Sequence, residues 1–261
     1  MRITALLLGL ALLSGCSTHP LTGRDQILAL PALQVAHADI AFAVTTGAQG
    51  LAASQSCEQD CGSADDLARF AGRVETIGTQ LEASARDMSP ELFGRIDKFQ
   101  IEVNDALGVG TGSSAGGRIA LGSGLAALEP TDTVLAFLIA REMAHVIARH
   151  DEENSGASIV FSGLGMLLPG INVIARFVAS TLGSSALKGS WATQQRREAD
   201  EIALALLERT GVSALSVARA LESGVKRARL PDHQWSARYV ESTQRVALIA
   251  ASSPRYAGFS D

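Results

Sequence analysis

Thr131-Asp132-Thr133-Val134-Leu135-Ala136-Phe137-Leu138-Ile139-Ala140-Arg141-Glu142-Met143-Ala144-His145-Val146-Ile147-Ala148-Arg149-His150 is the stretch whose reading decides the fold. Thr131 follows Pro130 and precedes a run of helix formers, which marks an N-cap and a helix reaching His150. From Val134 to Ala140 the run is apolar on every side, so the helix belongs in a core. Arg141, Glu142 and His145 are then set into it. Arg141 and His145 are four residues apart and share a face. On pattern alone, Arg141, His145 and Arg149 also read as the solvated stripe of an amphipathic helix.

Working outward, Asp65 to Arg86 has helical spacing in Leu67, Phe70, Val74, Ile77 and Leu81. Apolar residues alternate in Lys98-Phe99-Gln100-Ile101-Glu102-Val103-Asn104, as a half-buried strand requires. Gly108 to Gly117 reads as a flexible inter-strand loop. Its alternating glycines lack the Lys-Ser/Thr of a phosphate loop and the helix that should follow. Arg118-Ile119-Ala120-Leu121 is a second short strand. Downstream, Gln194 to Arg209 forms a helix closed by Gly211, with Arg196/Asp200 and Arg197/Glu201 at ion-pair spacing. The apolar segment from Gly156 to Leu187 breaks at Pro169-Gly170. Each half is short for a membrane span, so it reads as a two-helix lid, with a transmembrane hairpin as the alternative.

The N-terminus carries Arg2, an apolar run from Ile3 to Leu13, and Leu13-Ser14-Gly15-Cys16. That is a secretory signal ending in a lipobox, with Cys16 the expected lipidation site and first mature residue. The expected domains are a signal peptide at 1–15, a lipidated linker and helix at 16–64, and a folded domain at 65–261. In such an oxidising compartment Cys57 and Cys61 are expected to form a local disulfide, with two reduced thiols as the alternative. An apolar fraction of 47% supports a sizeable core, and 5% aromatic content with abundant Ala, Leu and Gly favours helices over a sandwich. The net charge of −5 leaves no basic footprint, so nucleic acid is an unsuitable partner.

Three segments, in order and spacing, resemble the membrane-associated zinc metallopeptidases of family M48, especially envelope lipoproteins of the BepA and LoiP kind. Gly116-Gly117-Arg118-Ile119-Ala120-Leu121-Gly122-Ser123-Gly124-Leu125 is similar to the family's Gly-Gly-x-Ile-x-Val-x-x-Gly-Leu, its substrate-side strand. Ala140 to His150 is similar to Ala-His-Glu-x-x-His-Val-x-Ala-Arg-His, and Glu198-Ala199-Asp200 to the end of Glu-x-Glu-Ala-Asp. The resemblance implies an α+β, predominantly α-helical zincin-like domain with a small sheet.

The departures fall on the metal. A zincin needs two imidazoles one turn apart and a carboxylate from a second helix. Here Arg141 takes the first imidazole position and Arg196 the carboxylate position, leaving His145 as a vestigial ligand and Glu142 as a vestigial general base. Tyr239 stands where some relatives bring a further histidine, in a segment ending at Arg245-Val246. His145 and His150 are about 140° apart on a continuous helix, a poor chelate, and His37 and His233 lack ligand-spaced neighbours. Two guanidiniums in place of a cation imply a salt-bridge network of Arg141, Glu142, Arg196 and Asp200. The expectation is therefore a pseudo-peptidase without a cofactor, lipid-anchored at the periplasmic face of the outer membrane. Its expected partners are the membrane and envelope polypeptides or outer-membrane assembly proteins, in a chaperone or adaptor role in protein quality control. The competing readings are an active zinc-dependent metalloendopeptidase with an irregular metal site, and a purely structural lipoprotein.

Overall fold

The computed structural model describes residues 16–19, 21–28, 31–53, 64–155, 192–227 and 234–252. The signal peptide, the Cys57/Cys61 pair, the segment 156–187 and His233 lie outside them. The fold is α+β and mostly helical, with a three-stranded sheet to one side of the helical core.

The chain starts with a hairpin, β1 (Cys16–Thr18) antiparallel to β2 (Asp25–Ile27). Helices α1 (Pro31–Ala53) and α2 (Ala64–Met88) follow. Phe70, Val74, Leu81 and Ala85 form the buried stripe of α2, so its helical spacing faces the core as read. The sheet is ordered β3-β5-β4, with β3 (Gln100–Asn104) parallel to β5 (Arg118–Gly122) and β4 (Thr111–Ser113) antiparallel to it.

One expectation about the sheet needs correction. The glycine-rich stretch is not all loop, because Thr111–Ser113 pairs with Ile119–Leu121. Main-chain hydrogen bonds made this strand without any apolar alternation to announce it. β5, the segment similar to the family's substrate-side strand, is the central strand, hydrogen-bonded on both sides, with β3 and β4 at the two edges. Gly122 is compulsory at the end of β5, since a Cβ there would stand 1.9 Å from the Gly108 carbonyl oxygen.

Helix α3 (Asp132–Ile147) opens at Thr131, whose side chain accepts from the Val134 amide. It does not run on to His150. Ala148 and Arg149 form a turn, Arg149 lies in the left-handed region with φ 59°, and helix resumes at 150–155, termed α4. Next come α5 (192–209), α6 (Ala214–Arg227) and α7 (Gln234–Ser252). Gly211, at φ 86°, ends α5, with the Val212 amide reaching back to the Leu207 carbonyl. Leu135, Phe137, Ile139 and Met143 of α3 pack in one core with Leu206 and Leu207 of α5, Val217 of α6 and Val246 of α7.

Candidate functional site

The break after α3 exposes carbonyls that an intact helix would have used, and buried carbonyls need donors. They come from the hairpin. His19 Nε2 donates to the Ile147 carbonyl at 3.1 Å, and Gln26 Nε2 donates to that of Ala148. Arg149, in turn, bonds Glu152 through its Nε at 3.0 Å, which fixes its unusual backbone. Residues 16–28, expected as a linker, are thus tied into the domain.

The same break swings His150 back onto His145. Their Nδ1 atoms are 2.9 Å apart and the rings meet edge to face at 4.9 Å. On a continuous helix these side chains would point apart. His150 Nε2 lies 2.9 Å from Glu198 Oε2, and Glu198 also accepts from Thr22 Oγ1 and from Arg24 Nε at 2.5 Å. Burial pulls the Glu198 carboxyl up, but bonds from His150, Thr22 and Arg24 outweigh it and hold the group down at about 2. Burial lowers His150, against the pull of Glu198. Burial and the neighbouring charges of His150, Arg141, Arg196 and Arg245 hold His145 well below the usual imidazole range.

These protonation states orient the chain of bonds. Ionised Glu198 makes His150 Nε2 the donor, so neutral His150 accepts at Nδ1 from His145 Nδ1–H. His145 Nε2 keeps its lone pair. The three groups form a line through His150 rather than a cage, and among the described residues no three His, Cys, Asp or Glu side chains converge as a metal site.

Beside this line stand the arginines. Asp200 is fully buried between Arg141, with Nε 3.1 Å from Oδ1, and Arg245, whose Nε donates to Oδ2 at 2.7 Å. The Arg141 contact is one of charge, since its Nε lacks hydrogen-bond geometry to any acceptor. Burial pushes the Asp200 carboxyl up, opposed by Arg141 and Arg245. Arg196 points to Glu241, 3.6 Å away, which also pairs with Arg245 at 3.1 Å.

The network expected from sequence is therefore wired differently: Arg141 does meet Asp200, but Arg196 turns to Glu241. Glu142 meets no guanidinium among the described residues; it accepts from Thr111 Oγ1 of β4 at 2.6 Å. Arg245, Glu241, Arg24 and Glu153, none of which sequence reasoning placed in the site, complete the charge balance. The one signal for them was Arg245, which coincides with an arginine of the family pattern. Glu142→Gln keeps an oxygen for Thr111 and should cost less than about 1 kcal/mol in urea unfolding. A loss above about 2 kcal/mol would mean that Glu142 neutralises a guanidinium after all.

Residues 78–251 match the family model described as Peptidase family M48. This chain belongs to that family. No curated protein and no solved structure matches it. The zinc that the M48 family implies does not fit this donor set. The resemblance aligns Arg141 and Arg196 with two of the three ligand positions, and a guanidinium has no lone pair to offer a cation.

Proposed function

We propose that this chain is an envelope lipoprotein whose M48 domain is a zinc-less pseudo-peptidase, anchored through Cys16 at the periplasmic face of the outer membrane. In this reading it binds envelope polypeptides as a chaperone or adaptor in outer-membrane protein quality control. One observation supports the reading: Arg141 and Arg196, which the resemblance aligns with ligand positions, are both engaged with carboxylates, Asp200 and Glu241. Glu142, bonded to Thr111, then has no activated water to assist.

Polypeptide recognition is supported by β4. It is one of the two edges of the sheet, and an extended segment can add to such an edge through main-chain hydrogen bonds. Retention of envelope polypeptides by the purified protein, without their cleavage, is the expected behaviour.

The test compares metal content with casein cleavage. The wild type should carry no stoichiometric zinc and cleave nothing. Arg141→His combined with Arg196→Glu supplies an imidazole one turn from His145 and a carboxylate from α5, while His145 Nε2 already keeps its lone pair. That double variant should take up zinc, read by metal analysis of the dialysed protein. One zinc per wild-type chain, together with a peptidase activity that Glu142→Gln removes, would instead establish the active metalloendopeptidase.

A further inference from the structure

Helix α1 is built inside out. Among its residues whose exposure is described, the exposed ones are Ala32, Leu33, Ala36, Ile40, Ala43 and Val44, an apolar stripe at helical spacing with no ionised side chain. Leu33, Ile40 and Val44 are 52%, 60% and 57% exposed. The polar groups face inward: Gln34, 1% exposed, donates to the Glu152 carbonyl at 3.0 Å, and Asp39 accepts from the Gly116 amide at 2.9 Å. An amphipathic helix on a water-facing surface has the opposite arrangement. Leu21, in the turn between β1 and β2, is 43% exposed as well. Four of the six exposed large apolar side chains among the described residues thus fall between positions 21 and 44. That concentration marks a face that is not meant for water.

Its occupant follows from where Cys16 sits. Cys16 is paired in β1 with Ile27, and His19 is bonded to α3. Three residues span at most about 10 Å, so acyl chains on Cys16 leave no slack for a flexible tether. The membrane must then lie against the hairpin, and α1 follows it directly. A second copy of the chain explains the stripe less well. From Ala32 to Val44 it is roughly 18 Å long and one helix wide, about 200 Å², whereas a stable dimer needs about 800 Å² per partner. The stripe also offers no charge or hydrogen bond to specify a protein.

We propose that the outward face of α1, with Leu21, docks on the phospholipid surface beside the acylated terminus, holding the domain flat on the membrane. This rests on the reading of Cys16 as acylated. Phe42 of α1 lies against Gly112 of β4, so docking also holds the sheet edge near the bilayer, where envelope polypeptides insert.

Palmitate labelling of the full chain, against Cys16→Ala, tests the anchor by itself. Docking is read on the acylated chain in phosphatidylethanolamine and phosphatidylglycerol vesicles. An environment-sensitive fluorophore is placed on Ile40→Cys or, as a control, on Glu222→Cys, both with Cys57→Ser and Cys61→Ser. The Ile40 probe should shift to the blue and be quenched by brominated acyl chains; the Glu222 probe should not. For the chain without residues 1–15 and with Cys16→Ser, the combination Leu33→Ser, Ile40→Ser and Val44→Ser should weaken vesicle binding more than tenfold. A labelled Cys16 with an unquenched Ile40 probe overturns docking and leaves the anchor standing. An unlabelled Cys16, with vesicle binding still lost in the triple variant, removes the anchor and supports docking. A dimer that the triple variant dissociates, without vesicle binding, assigns the face to a second copy and overturns the proposal.

Discussion

Asp200→Asn is expected to destabilise the domain by about 3 kcal/mol, read from the urea midpoint at pH 7. Asp200 is fully buried, and the two guanidiniums against it, Arg141 and Arg245, are each only 14% exposed. An asparagine still accepts a hydrogen bond from Arg245 but supplies no charge, and uncompensated buried cations cost about 3–5 kcal/mol. Glu241, 3.1 Å from Arg245, offsets part of this, which places the loss at the lower end. Arg141→Met added to Asp200→Asn should cost less than the two single losses summed, because one orphan cation is gone. Strict additivity, or a loss below about 1 kcal/mol for Asp200→Asn, would remove Asp200 from the centre of the network.

Glu198→Gln should be nearly as damaging, at about 2–4 kcal/mol, and it should change the response to acid. The carboxylate is 5% exposed and ties α5 to two other parts of the fold: the hairpin, through Thr22 and Arg24, and α4, through His150 beyond the helix break. Arg24 keeps Glu153 at 2.8 Å, but His150 loses its charged partner. Detachment of the hairpin should be visible as trypsin cleavage after Arg24, which is only 9% exposed in the intact protein.

The pH dependence has a definite sign. Glu198 titrates at about 2 when folded and near 4.5 when unfolded, so the unfolded chain binds the extra proton between those values. Its contribution is complete above about 4.5 and is lost as pH falls toward 2. His145 and His150 are both lowered by burial when folded, so the unfolded chain also takes up protons below about 6.5, and stability again falls with pH. Asp200, pushed up by burial, binds its proton at higher pH in the folded chain and opposes part of this, so the wild type should weaken from pH 6.5 downward, with a steeper loss below pH 4.5 that depends on Glu198. Glu198→Gln should lose that second, steeper limb. A wild-type midpoint that is flat from pH 7 to pH 4 would contradict both assignments.

Local rules made much of this protein legible from sequence alone. The Thr131 cap, the stripe of Phe70, Val74 and Leu81, the alternation in β3 and the Gly211 stop depend on neighbours within a turn or two, so spacing suffices to read them. Membership of the M48 family was legible too, since three segments follow its order and spacing. Tertiary structure alone decided which charges meet. The i,i+4 spacing offered Arg196 to Asp200, but Asp200 lies buried under Arg141 and Arg245, and a buried carboxylate goes to the cations that can reach it. It also decided the break at Arg149. No glycine or asparagine announces that left-handed turn; contacts from Glu152, His19 and Gln26, the last two more than a hundred residues away in the chain, make it stable and so bring His145 to His150. The inverted face of α1 has the same origin, because what a helix buries is set by the polar groups it must satisfy inside, here Gly116 and Glu152.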